Sequence, residues 1–218
     1  MFTEGYAATT GDAPIQRELT AEAIRLARIT HRLLPDQVEP QGLLALLLLT
    51  DARSPARLDP EDTPIALEDQ DRSRWDPLQI QEGLALAEQA AGRPGAGRFT
   101  VQAAIAAVHA EAASFEETDW PQIVALYDLL AHFDAGPVVR MNRAIAVARR
   151  DTPQRGLDLL EQLADEPELR GHHPFHVALA LLRDEVGDTT GAQQAWRTAL
   201  DLADNGSERR FIERHLTA

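Results

Sequence analysis

One spacing governs the second half of this chain: apolar positions return after 34 or 35 residues. Ile123, Leu126 and Leu130 recur as Leu157, Leu160 and Ala164, then as Ala192, Ala195 and Ala199. The intervening segments obey the same shift, with Met141, Ala144, Ile145 and Ala148 mapping onto Phe175, Ala178, Leu179 and Leu182. Within each set the steps are three and four, the spacing of one helical face. Two helices per unit predict stacked hairpins, each burying a face it cannot bury alone. In the last unit Gly187 permits a tight turn, Ala192 and Ala199 let two helices approach, and Trp196 fills the gap between them. Ser207 is expected to cap a closing helix over 207–217 that carries Phe211, Ile212 and Leu216.

A period of 34 with two helices per unit is that of the tetratricopeptide repeat. The predicted fold class is therefore all-α: a helical N-terminal half, tetratricopeptide-like helical hairpins, and a C-terminal capping helix. Residues 1–16 read as a loop or ordered arm. Leu19, Ala23, Leu26, Thr30 and Leu33 then mark one face of a helix that ends before Pro35. A second helix starts near Pro40 and runs to about Ala52; its run Leu43–Leu49 is apolar on every side, so it is expected to be buried. Residues 53–76, with Pro55, Pro60 and Pro64, form a long acidic loop, and Asp76-Pro77 opens a helix to about Ala91. The breaker Arg93-Pro94-Gly95-Ala96-Gly97 is the expected boundary between domains 1–97 and 98–218.

Charge narrows the function classes. The 218 residues hold 35 acidic and 21 basic side chains, a formal net charge of −14. A surface this acidic repels phosphate backbones, so no direct nucleic-acid binding is expected. Every basic residue is Arg, which removes Schiff-base chemistry and a phosphate-loop lysine. Absence of Cys removes disulfides, thiolate nucleophiles and Cys-based zinc sites. No apolar run approaches the roughly 20 residues of a membrane span, and the N-terminus lacks the pattern of a signal peptide. A cytoplasmic protein without membrane contact is expected.

Three groups of residues are chemical candidates. Glu68, Asp69 and Asp71 sit close enough to ligate a hard cation, but the loop lacks the glycine and distal Glu of an EF-hand. The structural alternative pairs Arg72 and Arg74 with neighbouring carboxylates and packs Trp75 ahead of an Asp76 cap. His172 and His176 are four apart, a metal-ligand spacing, yet Pro174 puts a helix start there and leaves the first two His in the preceding loop as solvated or capping groups. His109 and Glu111 are two apart on an Ala-rich helix over Thr100–Ala113 and face different sides. Trp120 reads as a packing residue. With no hydrolase, phosphate-loop or dinucleotide motif, neither an enzyme nor a cofactor or metal site is expected.

Several segments together resemble a known family. They are Phe2-Thr3-Glu4-Gly5-Tyr6, Leu19–Leu26, Gly42–Leu46, Leu67-Glu68-Asp69-Gln70-Asp71-Arg72-Ser73-Arg74-Trp75-Asp76, Gln102–Ala112, Pro137-Val138-Val139 and Asn142-Arg143-Ala144. The chain resembles the long C-terminal extension of a subgroup of extracytoplasmic-function sigma factors, specificity subunits of bacterial RNA polymerase. The resemblance covers essentially the whole chain, and Glu68–Asp76 is its most specific part. Nothing resembles the promoter-reading sigma regions two and four, so the chain is expected to be a fragment or isolated domain. The resemblance implies a regulatory module that contacts sigma regions two and four or the polymerase core. The residues expected to touch the partner are Glu68, Asp69, Gln70, Asp71, Arg72, Arg74 and Trp75, with Trp75 as an aromatic anchor. The rival expectations are a sensing domain for a small molecule or cation, with a pocket near 68–75, and, ranked last, a hydrolase using the same carboxylates.

Overall fold

Proline sets where the helices of this chain begin. Its fixed φ suits the first helical turn, where its missing N–H has no partner to lose. Eight of the eleven helices among the described residues carry Pro at one of their first two positions. The computed structural model describes residues 13–217, and within them the fold is all-α. The helices are α1 (Ala13–Leu33), α2 (Glu39–Asp51), α3 (Pro77–Ala91), α4 (Arg98–Glu111), α5 (Trp120–Leu130), α6 (Pro137–Arg150), α7 (Pro153–Glu161), α8 (Pro167–Arg170), α9 (His173–Val186), α10 (Thr189–Leu202) and α11 (Gly206–Thr217). Three short 3₁₀ turns, Ser54–Ala56, Leu67–Asp69 and Arg72–Arg74, punctuate the connection between α2 and α3. The expected arm therefore ends early: residues 13–16 are already helical, and residues 1–12, with Phe2–Tyr6, lie outside the described region.

The described chain divides into two compact units, residues 13–57 with 68–134 and residues 58–67 with 135–217. The breaker at Arg93–Gly97 is not the division. It lies inside the first unit, where the Arg93 guanidinium donates to Gln41 Oε1 and to the Pro35 carbonyl, each at 3.0 Å. A glycine-rich segment signals a turn, and this turn joins two helices that both pack on α2.

In the first unit α2 is the central helix, as its all-round apolar sequence requires: Leu44, Ala45, Leu48 and Leu49 are at most 2% exposed. Helix α4 comes close to it because residue 42 is glycine; a Cβ there would stand 2.7 Å from the Thr100 nitrogen. The face of α1 differs from the expected one. Leu19, Leu26 and Leu33 are 66%, 50% and 74% exposed, whereas Ile24 and Ala27 are buried against Leu44 and Leu48. Two adjacent stripes of α1 carry apolar residues, and periodicity cannot choose between them. An Arg28–Glu82 ion pair also joins α1 to α3.

In the second unit the positions related by the 34-residue shift are buried except Ala164, which lies in the turn after α7 and is exposed. Met141, Ala144, Ile145 and Ala148 of α6, Leu157 and Leu160 of α7, Phe175, Ala178, Leu179 and Leu182 of α9, and Ala192, Ala195 and Ala199 of α10 share one core with Trp196. Gly187 ends α9 at φ 84°, a left-handed geometry that suits glycine, and Asp188 caps α10 through the Gly191 N–H at 3.0 Å. The cap of α11 is Asn205, not Ser207: its Oδ1 accepts the Glu208 N–H at 2.8 Å. Segment 58–67 belongs to this unit, where Asp59 takes an ion pair from Arg214 at 2.8 Å and Ala66 joins the core.

Candidate functional site

The segment Glu68–Asp76 builds itself from short-range bonds. Asp71 Oδ1 accepts the Ser73 N–H at 3.0 Å and the Ser73 hydroxyl at 2.6 Å, which closes the Arg72–Arg74 turn. Those two bonds hold the Asp71 carboxyl below its ordinary pKa. Asp76 Oδ1 then accepts the Leu78 and Gln79 N–H groups at 2.9 and 3.1 Å and starts α3. The Asp76 N–H donates to the Ala52 carbonyl at 2.9 Å, anchoring the segment to the end of α2.

The turn sends Arg72 inward. Its Nη1 donates to the carbonyls of His109 at 2.6 Å and Ala112 at 2.8 Å. These carbonyls lie at the C-terminal end of α4, where intrahelical donors have run out and a cation meets the negative end of the helix dipole. The Arg72 guanidinium lies 4.6 Å from the Trp75 ring centre and the Arg53 guanidinium 5.5 Å from it. Burial lowers the Arg72 pKa, and nearby Glu116 opposes that shift. Arg53 is buried and reaches Gln70 Oε1 at 3.5 Å. His109 is 2% exposed and meets Trp120 edge-on at 5.3 Å. Its burial, with the charges of Arg53 and Arg72, pushes its pKa well below the ordinary value, so it is neutral. The buried Trp75 Nε1 and His109 Nδ1 have no hydrogen-bond partner.

The other end of α4 is held from afar as well. Gly97 has no side chain to cap with, and Glu39 substitutes for it. The Glu39 carboxylate accepts the N–H groups of Gly97, Phe99 and Thr100 at 2.9 to 3.1 Å and the Thr100 hydroxyl at 2.7 Å. Burial raises the Glu39 pKa, but these donors outweigh it and hold the group below its ordinary value. Sequence reasoning passed over Glu39, because its role is set by a helix that begins some sixty residues later.

The predicted contact residues thus separate into two sets. Glu68, Asp69, Asp71 and Arg74 are exposed, while Gln70 and Trp75 are buried and Arg72 is half-buried. The anchor role expected of Trp75 does not survive its 5% exposure; it packs inside, under two guanidinium groups. Arg72 pairs with carbonyls rather than with the neighbouring carboxylates. No group of three or more His, Cys, Asp or Glu that could hold a metal ion occurs among the described residues. In the His cluster, His172 is the N-cap position of α9, but His173 is its first residue and is buried rather than solvated. His176 Nε2 lies 2.9 Å from the Arg170 carbonyl. Burial and its two His neighbours lower the His173 pKa to about 4.

Residues 1–91 match a family of unknown function, DUF6596. The chain is similar to an uncharacterized protein of Rhizobium meliloti (strain 1021), 40% identical over 216 residues. That alignment covers 99% of this chain and 51% of the relative, so the chain spans about half the length of the curated relative it matches. No solved structure matches. Among the described residues no helix is long and apolar enough to cross a membrane.

Proposed function

We propose that this chain is a regulatory protein-interaction module, the C-terminal portion of an extracytoplasmic-function sigma factor. In this reading it modulates transcription initiation in the cytoplasm by contacting sigma regions two and four or the RNA polymerase core. Its role is recognition rather than catalysis, with tetratricopeptide-like hairpins forming its second half. The observation that carries the reading is the Glu68–Asp76 segment. It is the most specific part of the resemblance, and it turns the half-buried Arg72 to the C-terminal carbonyls of α4 and buries Trp75 beneath it, while Glu68, Asp69 and Asp71 stay outside. An outward acidic loop on a chain of net charge −14 suits a basic protein surface, and sigma regions must be basic to hold DNA. The relative's length supports the same view, since a stretch about as long as the matched part accompanies it there.

The test mixes this chain with the separately produced sigma regions two and four of such a factor and follows association by calorimetry. Binding is expected near 50 mM salt and is expected to weaken about tenfold or more near 500 mM, as screening removes the charge attraction. Absence of binding at both salt concentrations overturns the reading.

A further inference from the structure

Helices α3 and α4 leave a trough between them, wholly inside one compact unit. Its walls are two stripes at helical spacing: Leu84, Ala85 and Glu88 on α3, and Ala104, Ala107 and Glu111 on α4. The trough encloses about 490 Å³. Ala85, Glu88 and Glu111 are exposed, and Leu84, Ala104 and Ala107 are half-buried. Alanine on both walls lets an incoming backbone settle close. The wall on α3 runs from Gln81 to Ala91, which at 1.5 Å per residue is about 15 Å, or roughly three turns of a bound helix. Each wall bears one carboxylate and neither bears an Arg.

We propose that this trough docks a basic amphipathic helix of the partner protein. An apolar stripe of Ala- or Leu-sized side chains lies along Ala85, Ala104 and Ala107, and Arg or Lys on its two flanks meets Glu88 and Glu111. The site rests on the protein-interaction reading above and adds where the partner sits and what chemistry it carries. Apolar burial in the trough supplies affinity, while the paired carboxylates select a cationic helix and fix its lie. An acidic helix is rejected by the same carboxylates and by the net charge of −14. The loop Glu68–Trp75 then steers by charge and braces α4, whose outer face forms one wall.

The probe is a dye-labelled amphipathic peptide of about 14 residues, an Ala/Leu stripe flanked by Arg, titrated with the full chain by fluorescence anisotropy. A second peptide carries Glu in place of Arg. Ala107→Trp fills the trough and is expected to weaken binding of the basic peptide at least tenfold. Glu88→Gln with Glu111→Gln is expected to weaken it about three- to tenfold and to flatten its salt dependence. Asp201→Asn with Glu213→Gln, exposed carboxylates away from both the trough and the loop, is expected to change it less than twofold. No binding of the basic peptide, equal binding by the trough variants, or equally tight binding of the Glu peptide overturns the site. The Gln pair replaces exposed side chains, so it decides the question even if Ala107→Trp fails to fold. Repeating the sigma-region titration with the same variants separates the two ideas. Sigma regions that bind wild type and trough variants alike keep the function and remove the site. A basic peptide held in the trough without any sigma-region binding keeps the site and removes the function.

Discussion

His109 and His173 are each shut away from water, and both are more easily protonated once the chain unfolds. Burial comes first among the causes, followed for His109 by the charges of Arg53 and Arg72, and for His173 by His172 and His176. Asp204 opposes the shift at His173 without reversing it. The folded pKa of His173 is about 4 against an ordinary value of 6.5. Above 6.5 both states are neutral and the residue adds no pH dependence. As pH falls from 6.5 towards 4, the unfolded chain takes up a proton that the folded chain refuses, so stability drops with falling pH. Thermal melts are expected to show Tm falling between pH 7 and about pH 5, a range above the titration of ordinary carboxylates. His173→Leu is expected to make that fall shallower, and an unchanged slope would assign it to other groups.

At the scale of elements, α4 shows how a helix with a weak local start and stop is completed by others. Gly97 offers no cap, and Ala112 follows in extended backbone. Glu39 closes one end and Arg72 the other, so both termini depend on side chains remote in sequence. Removing Arg72 leaves two carbonyls without their donor and the Trp75 ring without one of its cations. Arg72→Met is expected to cost on the order of 2–3 kcal/mol, a Tm loss of about 5–10 °C. Arg72→Lys keeps the charge but cannot place its donor in the same way, and should fall between. Arg74→Met, at the exposed position two residues on, is expected to stay within about 0.5 kcal/mol. Equal effects of the Arg72 and Arg74 changes in denaturant titrations would remove the bracing role.

At the scale of the molecule, charge matters more than any single pair. Exposed ion pairs such as Arg25–Glu22 and Arg155–Asp151 contribute little each. An excess of 14 carboxylates repels itself in every compact arrangement. Salt screens both, and the unpaired excess is the larger effect, so Tm is expected to rise by a few degrees between about 20 and 300 mM NaCl. A falling Tm would show that the ion pairs dominate. The same screening is expected to weaken binding of a basic partner, so stability and affinity should respond to salt in opposite directions.

The all-α class and the starts of α2, α3 and α9 were legible in the sequence, because Pro, Asp and a three-and-four step act within a few residues. The 34-residue register marked many of the buried positions of α6, α7, α9 and α10 for the same reason, although Val139, Ala146, Val147, Val177 and Ala180 are buried outside it. The face of α1 was not legible, since two stripes compete and only packing of Ile24 and Ala27 against Leu44 and Leu48 of α2 chooses between them. Nor was the fate of Glu68–Asp76. Its composition marked it as special, but composition cannot say which side chains point inward. That Arg72 braces α4, with Trp75 buried beneath its guanidinium, while Glu68 and Asp69 face water follows from where the C-terminal carbonyls of α4 lie. The trough of Ala85, Ala104 and Ala107 was hidden for a similar reason: alanine is silent in a sequence until two helices bring it together. Local chemistry wrote the elements of this protein, and only the packing of distant segments decided which surfaces they show.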